Sequence, residues 1–179
     1  APGSTTLPPM DVAALLSDMY SRVQEDVDAV LDGLDVDALA WRPDPEGNSI
    51  AWLVWHLTRV EDDHVTGVIG GEQVWTAGGW AERFDLPLDP ADTGWGHSPE
   101  QVGLVRATAE DLSGYFGAVR DRTLDVLAEL ADDDLDRVVD ERWDPPVTLG
   151  VRLVSIVDDE AQHIGQAAYV RGLLDLRPA

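Results

Sequence analysis

The sequence predicts an all-α domain, a four-helix bundle covering about residues 11–174, and three observations carry that prediction. Apolar residues recur at three- and four-residue steps in four separate stretches of similar length. These stretches are punctuated by capping residues at their starts and by glycine or proline between them. No segment sustains the period-two alternation of a half-buried strand, and no internal repeat is visible. Four amphipathic helices without strands bury their apolar faces against one another.

Residues 1–10, with Pro2, Pro8 and Pro9, are expected to form an irregular lead-in. From Asp11 the first helix runs through Val12, Leu15, Leu16, Met19, Val23, Val27, Val30 and Leu31 and ends near Gly33. Arg42-Pro43-Asp44-Pro45-Glu46-Gly47 is turn chemistry. Asn48 or Ser49 can cap the second helix, which carries Ile50, Leu53, Val54, Leu57, Val60 and Val68 as far as Gly70-Gly71. A long irregular loop is expected over residues 71–97, holding Trp75, Trp80 and Trp95. Loops of that length are often functional covers, although these Trp residues could equally anchor the loop to the bundle. Ser98-Pro99-Glu100-Gln101 starts the third helix, expected to continue through Val102, Val105, Leu112, Phe116, Val119, Leu124 and Leu127 to about Leu130. After an acidic connector, Thr148 can cap the fourth helix, which carries Leu149, Leu153, Ile156, Ile164, Ala167, Val170 and Leu174.

Length and composition narrow the function. A chain of 179 residues can bury one good core and is short for two domains. Its net charge is −23, with 35 acidic and 12 basic residues, and all of the basic ones are Arg. Without a basic stripe, nucleic acid and anionic membrane surfaces are poor partners. No run approaches the roughly 20 apolar residues of a membrane-spanning helix. The first residues lack the basic end and apolar stretch of a signal peptide, so a cytoplasmic location is the expectation. There is no cysteine, so any metal site must use His, Asp and Glu, and any thiol must come from a ligand. Bundle faces and dimer faces share one apolar signature, which leaves monomer and homodimer both open.

Of four His, two lie on predicted helices in positions suited to a metal. Asp159 and His163 are four apart, on the helix face that also carries Ile156, Ala167 and Val170. An acid and a His on an apolar stripe are costly unless they pair or hold a metal. Glu160 lies about 100° around the helix and suits that role less. His56 sits in the apolar run Trp52-Leu53-Val54-Trp55-His56-Leu57. Alone, His56 reads as a satisfied core residue and the Asp159/His163 pair as an ion pair. Together, His56, Asp159 and His163 make the three-ligand open site usual for catalytic zinc, with nickel as the other candidate metal. His64 reads as a core residue or a support behind the ligands. Asp63 reads as a solvated acid or a ligand-orienting one, and His97 as structural.

Asn48-Ser49-Ile50-Ala51-Trp52-Leu53-Val54-Trp55-His56-Leu57, preceded by Trp41-Arg42-Pro43 and followed by Asp159-x-x-x-His163-x-Gly165-Gln166, resembles the DinB superfamily. The resemblance spans about residues 11–174. It implies a four-helix bundle holding a metal on one His of the second helix and a pair four apart in the last. The acid at Asp159, where many members have His, is similar to the thiol-dependent isomerase branch. It further implies a metal that binds the thiol of a small cosubstrate such as mycothiol, bacillithiol or glutathione. A divalent ion lowers the pKa of a bound thiol and presents thiolate at neutral pH.

Three functions follow as expectations. The first is a metal-dependent S-transferase joining a small-molecule thiol to an electrophile. The second is an isomerase of an unsaturated diacid such as maleylpyruvate, for which Arg59 and Arg83 are the available cations. The third is a non-catalytic metal-binding stress-response protein, which a fourth protein ligand such as His64 would favour.

Overall fold

The computed structural model describes residues 10–176. The predicted lead-in at residues 1–10 therefore lies, apart from Met10, outside the described residues. The first helix, α1 (Val12–Leu31), starts where the Asp11 carboxylate accepts the Ala14 N–H at 2.8 Å. Its buried face is Tyr20, Val23, Val27, Val30 and Leu31. A short α2 (Val36–Leu39), capped by Asp35, follows where no helix was expected. One helical turn lies below the length at which apolar periodicity can be read.

Ser49 caps α3 (Ile50–Ile69), its hydroxyl accepting the Trp52 N–H at 3.1 Å. The helix ends at Gly70, whose φ of +79° favours glycine. Every residue from Ile50 to Arg59 is buried, so α3 is enclosed on all sides. The segment after α3, expected to be mostly irregular, contains α4 (Val74–Ala77) and α5 (Trp80–Phe84). The buried carboxylate of Asp62 nucleates α4 by accepting the N–H groups of Val74 (2.9 Å) and Trp75 (2.8 Å).

The predicted third helix is two helices. A capping box of Ser98 and Gln101 opens α6 (Pro99–Val102), which stops at Gly103. Thr108 then starts α7 (Ala109–Ala128) by accepting the Asp111 N–H at 3.1 Å. Val105 and Ala107 stay buried through the break, so the apolar pattern runs on while the backbone does not. The connector, expected to be without strands, includes a 3₁₀ turn (Asp132–Asp136) and a two-stranded antiparallel hairpin, β1 (Val138–Asp140) and β2 (Val147–Thr148). Thr148 closes the hairpin and caps α8 (Leu149–Asp175), as expected.

The four helices of twenty residues or more are α1, α3, α7 and α8. The central α3 packs on α7 and α8, and α1 packs on the same two from the other side. The protein is therefore predominantly helical, with the small hairpin leaning on α8. No helix is long and apolar enough to cross a membrane among the described residues.

Candidate metal centre

The contact of α3 with α8 brings together the residues with metal-binding side chains. His56 comes from α3, and Asp159 and His163 come from successive turns of α8. One ligand atom from each of the three lies within 4.8 Å of the other two. The imidazole rings meet edge to face, with centroids 4.8 Å apart. His56 is buried, while Asp159 and His163 are half-buried.

Both imidazoles are oriented by their Nδ1 atoms. His56 Nδ1–H donates to the Thr93 carbonyl at 2.5 Å, and His163 Nδ1–H donates to the Asp159 carbonyl at 2.8 Å. That assigns the tautomers and leaves each Nε2 lone pair free, the arrangement found behind metal-ligating histidines. Asp159 Oδ2 is buried and accepts no hydrogen bond. His163 Nδ1 lies 3.3 Å from it, with its hydrogen directed to the backbone carbonyl. A buried carboxylate oxygen without a donor, facing two imidazoles, fits a divalent ion. Burial keeps His56 below the usual imidazole range, and the nearby His163 adds to that. For His163 burial acts downward too, but the Asp159 carboxylate outweighs it and raises the imidazole.

A loop supports His56 from behind. Trp52 stacks on its ring, with centroids 4.6 Å apart and planes at 15°. Trp52 Nε1–H donates to His97 Nδ1 at 3.1 Å, and His97 Nε2–H donates to Asp92 at 2.8 Å. Asp92 also accepts the Gly94 N–H at 2.8 Å, which closes the turn that presents the Thr93 carbonyl. Gly94 has φ +90°, and a Cβ there would lie 2.7 Å from His56 Nδ1. His97 therefore has the structural role expected of it. The orienting contact of Thr93 and the need for Gly94 are absent from the sequence reading.

The remaining candidates separate. Glu160 is outside the three-residue cluster, is fully buried and interacts with Glu61, so the acid of the cluster is Asp159. Burial pushes Glu61 up to about 7, and burial with the neighbouring Glu61 carboxyl raises Glu160 well above the usual carboxylate range. His64 is outside the three-residue cluster and lines a cavity of 670 Å³ that Asp159 also lines. Asp63 accepts a hydrogen bond from Gln73 Nε2 at 2.9 Å, and does not orient a cluster imidazole. Trp75 packs among Trp55, Phe84 and Tyr115 and anchors the loop, whereas Trp95 is exposed and lines that cavity.

Neither arginine expected to face a diacid is available. Arg59 is fully buried and donates to the Asp92 and Pro90 carbonyls, Gln73 and Tyr115, with Asp62 3.7 Å away. Arg83 is held by Asp111 and Glu110, with its guanidinium over the Trp80 ring. The side chains placed on the cavity are instead Arg142 and Arg152.

The sequence profile of the DinB superfamily matches residues 19–167. The fold is similar to the crystal structure of a conserved protein from Enterococcus faecalis, with a TM-score of 0.88 and 34% identity. That match covers 94% of this chain and all of the other. No curated protein matches the sequence.

Proposed function

We propose, from the premise that this chain belongs to the DinB superfamily, that it is a metal-dependent thiol S-transferase built on a four-helix bundle. The observation that carries this reading is the free Nε2 of His56 and of His163 beside the unpartnered Oδ2 of Asp159, a residue that also lines a cavity. These three residues would hold a divalent ion, zinc by preference and nickel as the alternative. The ion supplies Lewis acidity that keeps a small-molecule thiol, mycothiol or a similar cosubstrate, as thiolate at neutral pH.

The protein's own groups do the rest. Three ligands leave room for a thiol, and no cysteine of the chain competes for the place. The cavity beside Asp159 receives the electrophile, whose carbon bonds to sulfur as its leaving group departs with the electron pair. Burial and the adjacent Arg152 push His64 down, so it is a neutral imidazole on the cavity wall, able to accept the thiol proton. An isomerase of an unsaturated diacid would use the same ligands, and Arg142 and Arg152 in the cavity are the observation that favours it.

Metal analysis of the purified protein, followed by monochlorobimane conjugation with mycothiol, bacillithiol or glutathione, tests the proposal. Stoichiometric metal with catalysis by one of these thiols is expected. Firmly held metal with no thiol turnover and no thiol competing for it would replace the proposal with a non-catalytic metal-binding protein.

A further inference from the structure

The cavity that Asp159 lines has wall chemistry that thiol activation leaves unused. At 670 Å³ it lies within the roughly 300–1,000 Å³ of small-molecule sites. Arg142, Arg152 and His64 lie on its wall. Trp95 and Trp143, two of its lining residues, are 88% and 65% exposed. Two large exposed aromatic side chains lining one cavity are the kind of surface that a bound ligand covers.

We propose, resting on the metal-site reading above, that this cavity binds a carboxylate of the reacting molecules through Arg152 and Arg142, with Trp95 and Trp143 flanking a flat unsaturated or aromatic body.

Asp140 is the reason the two guanidiniums are already in place. It accepts from Arg142 Nε (3.0 Å) and Nη2 (2.9 Å) and from Arg152 Nη2 (3.0 Å). One carboxylate between two guanidiniums orders both and leaves one positive charge over. Arg152, with its side chain 15% exposed, makes no other hydrogen bond to a described residue. Its Nε and Nη1 donors remain for a ligand, and guanidinium matches carboxylate in a two-point contact. His64, held neutral by burial and by Arg152, can add a hydrogen bond without a competing charge.

The charge balance couples this contact to the metal. Asp63, Asp140 and Asp159 all line the cavity and together outnumber the two arginines. A divalent ion on Asp159 reverses that balance. Carboxylate affinity should therefore be higher in metal-loaded than in metal-free protein. The carboxylate could belong to the electrophile or to an acidic thiol cosubstrate.

Calorimetric titration of zinc-loaded and metal-free protein with cinnamate, cinnamamide and S-methylglutathione tests this, with zinc content measured throughout. At least one of the two acids should bind, and cinnamamide should bind at least about tenfold more weakly than cinnamate if cinnamate is the one bound. Arg152→Gln should weaken the bound acid by about tenfold or more. Arg142→Gln, altering a side chain that is 86% exposed, carries the test should Arg152→Gln fail to fold. Arginine dependence with cinnamate assigns the carboxylate to the electrophile, and dependence only with S-methylglutathione assigns it to the thiol. Binding of neither acid, equal binding of acid and amide, or binding indifferent to both arginines overturns the proposal. Absence of zinc from wild-type protein fails the metal reading separately, and arginine dependence in the metal-free protein then still decides the cavity.

Discussion

The Nδ1–H of His56 donates to the carbonyl oxygen of Thr93, 37 residues further along the chain. Helix α3 supplies the imidazole, and the loop after α5 determines which nitrogen stays free. The geometry of the candidate metal centre thus depends on a backbone contact as much as on its three side chains.

Gly94→Ala should loosen that contact. The φ of +90° strains alanine, and the added Cβ would lie 2.7 Å from His56 Nδ1 and 3.0 Å from the Trp55 ring. Metal affinity, read by competition with a chromogenic chelator, should fall about 10–100-fold while the helical circular dichroism is kept. Unchanged affinity would mean that the loop does not orient His56.

His56→Ala and His163→Ala should each abolish stoichiometric metal binding and thiol conjugation. Losing one of three protein ligands strips the ion at ordinary concentrations, and the apolar core remains. Metal analysis with circular dichroism checks this. A metal-free variant that keeps full conjugation activity would exclude thiolate activation by the ion.

Asp62→Ala should destabilise the fold by about 3–5 kcal/mol, with a clear drop in Tm. Asp62 accepts the N–H groups of Val74 and Trp75 and the Tyr115 hydroxyl (2.9 Å), and it lies 3.7 Å from the fully buried Arg59. Removing it leaves Arg59 without its nearest carboxylate and the start of α4 without an acceptor. Thermal unfolding at neutral pH measures the effect, and a loss below about 1 kcal/mol would mean the network is dispensable.

Glu61 sets a pH dependence. Burial raises its carboxyl from 4.5 in the open chain to about 7. A carboxyl raised on folding contributes stability that is complete below its unfolded pKa and lost as pH climbs through the folded one. Metal-free protein should therefore lose stability between pH 4.5 and about 7. Glu61→Gln should flatten that interval in urea titrations, its advantage over wild type growing toward neutral pH. Parallel curves for the two proteins would rule the assignment out.

The four long helices were legible because their apolar spacing persists for twenty residues or more and because Ser49 and Thr148 are strong caps. The break before Ala109 was not legible, since Val102, Val105 and Leu112 remain buried and their steps of three and seven keep the helical spacing across it. The hairpin of β1 and β2 is too short to show an alternating pattern. In the site, the four-residue step from Asp159 to His163 marks one face of α8, and a single His in an apolar run marks α3. The Thr93 carbonyl left no signal, because a backbone acceptor has no residue type. Arg59 misled because arginine is ordinarily exposed, whereas α3 is enclosed on every side along its first half. Arg152 was passed over because its position matters only once the hairpin brings Asp140 beside it.

Zinc K-edge absorption of the loaded protein, before and after a thiol is added, tests the central claim most directly. Before addition the account predicts two imidazole nitrogens at about 2.0–2.1 Å and a carboxylate oxygen at about 2.0–2.2 Å. After addition it predicts one new sulfur at about 2.3 Å, absent in His163→Ala. A zinc shell that is already closed by a fourth protein ligand and gains no sulfur from mycothiol, bacillithiol or glutathione would contradict it.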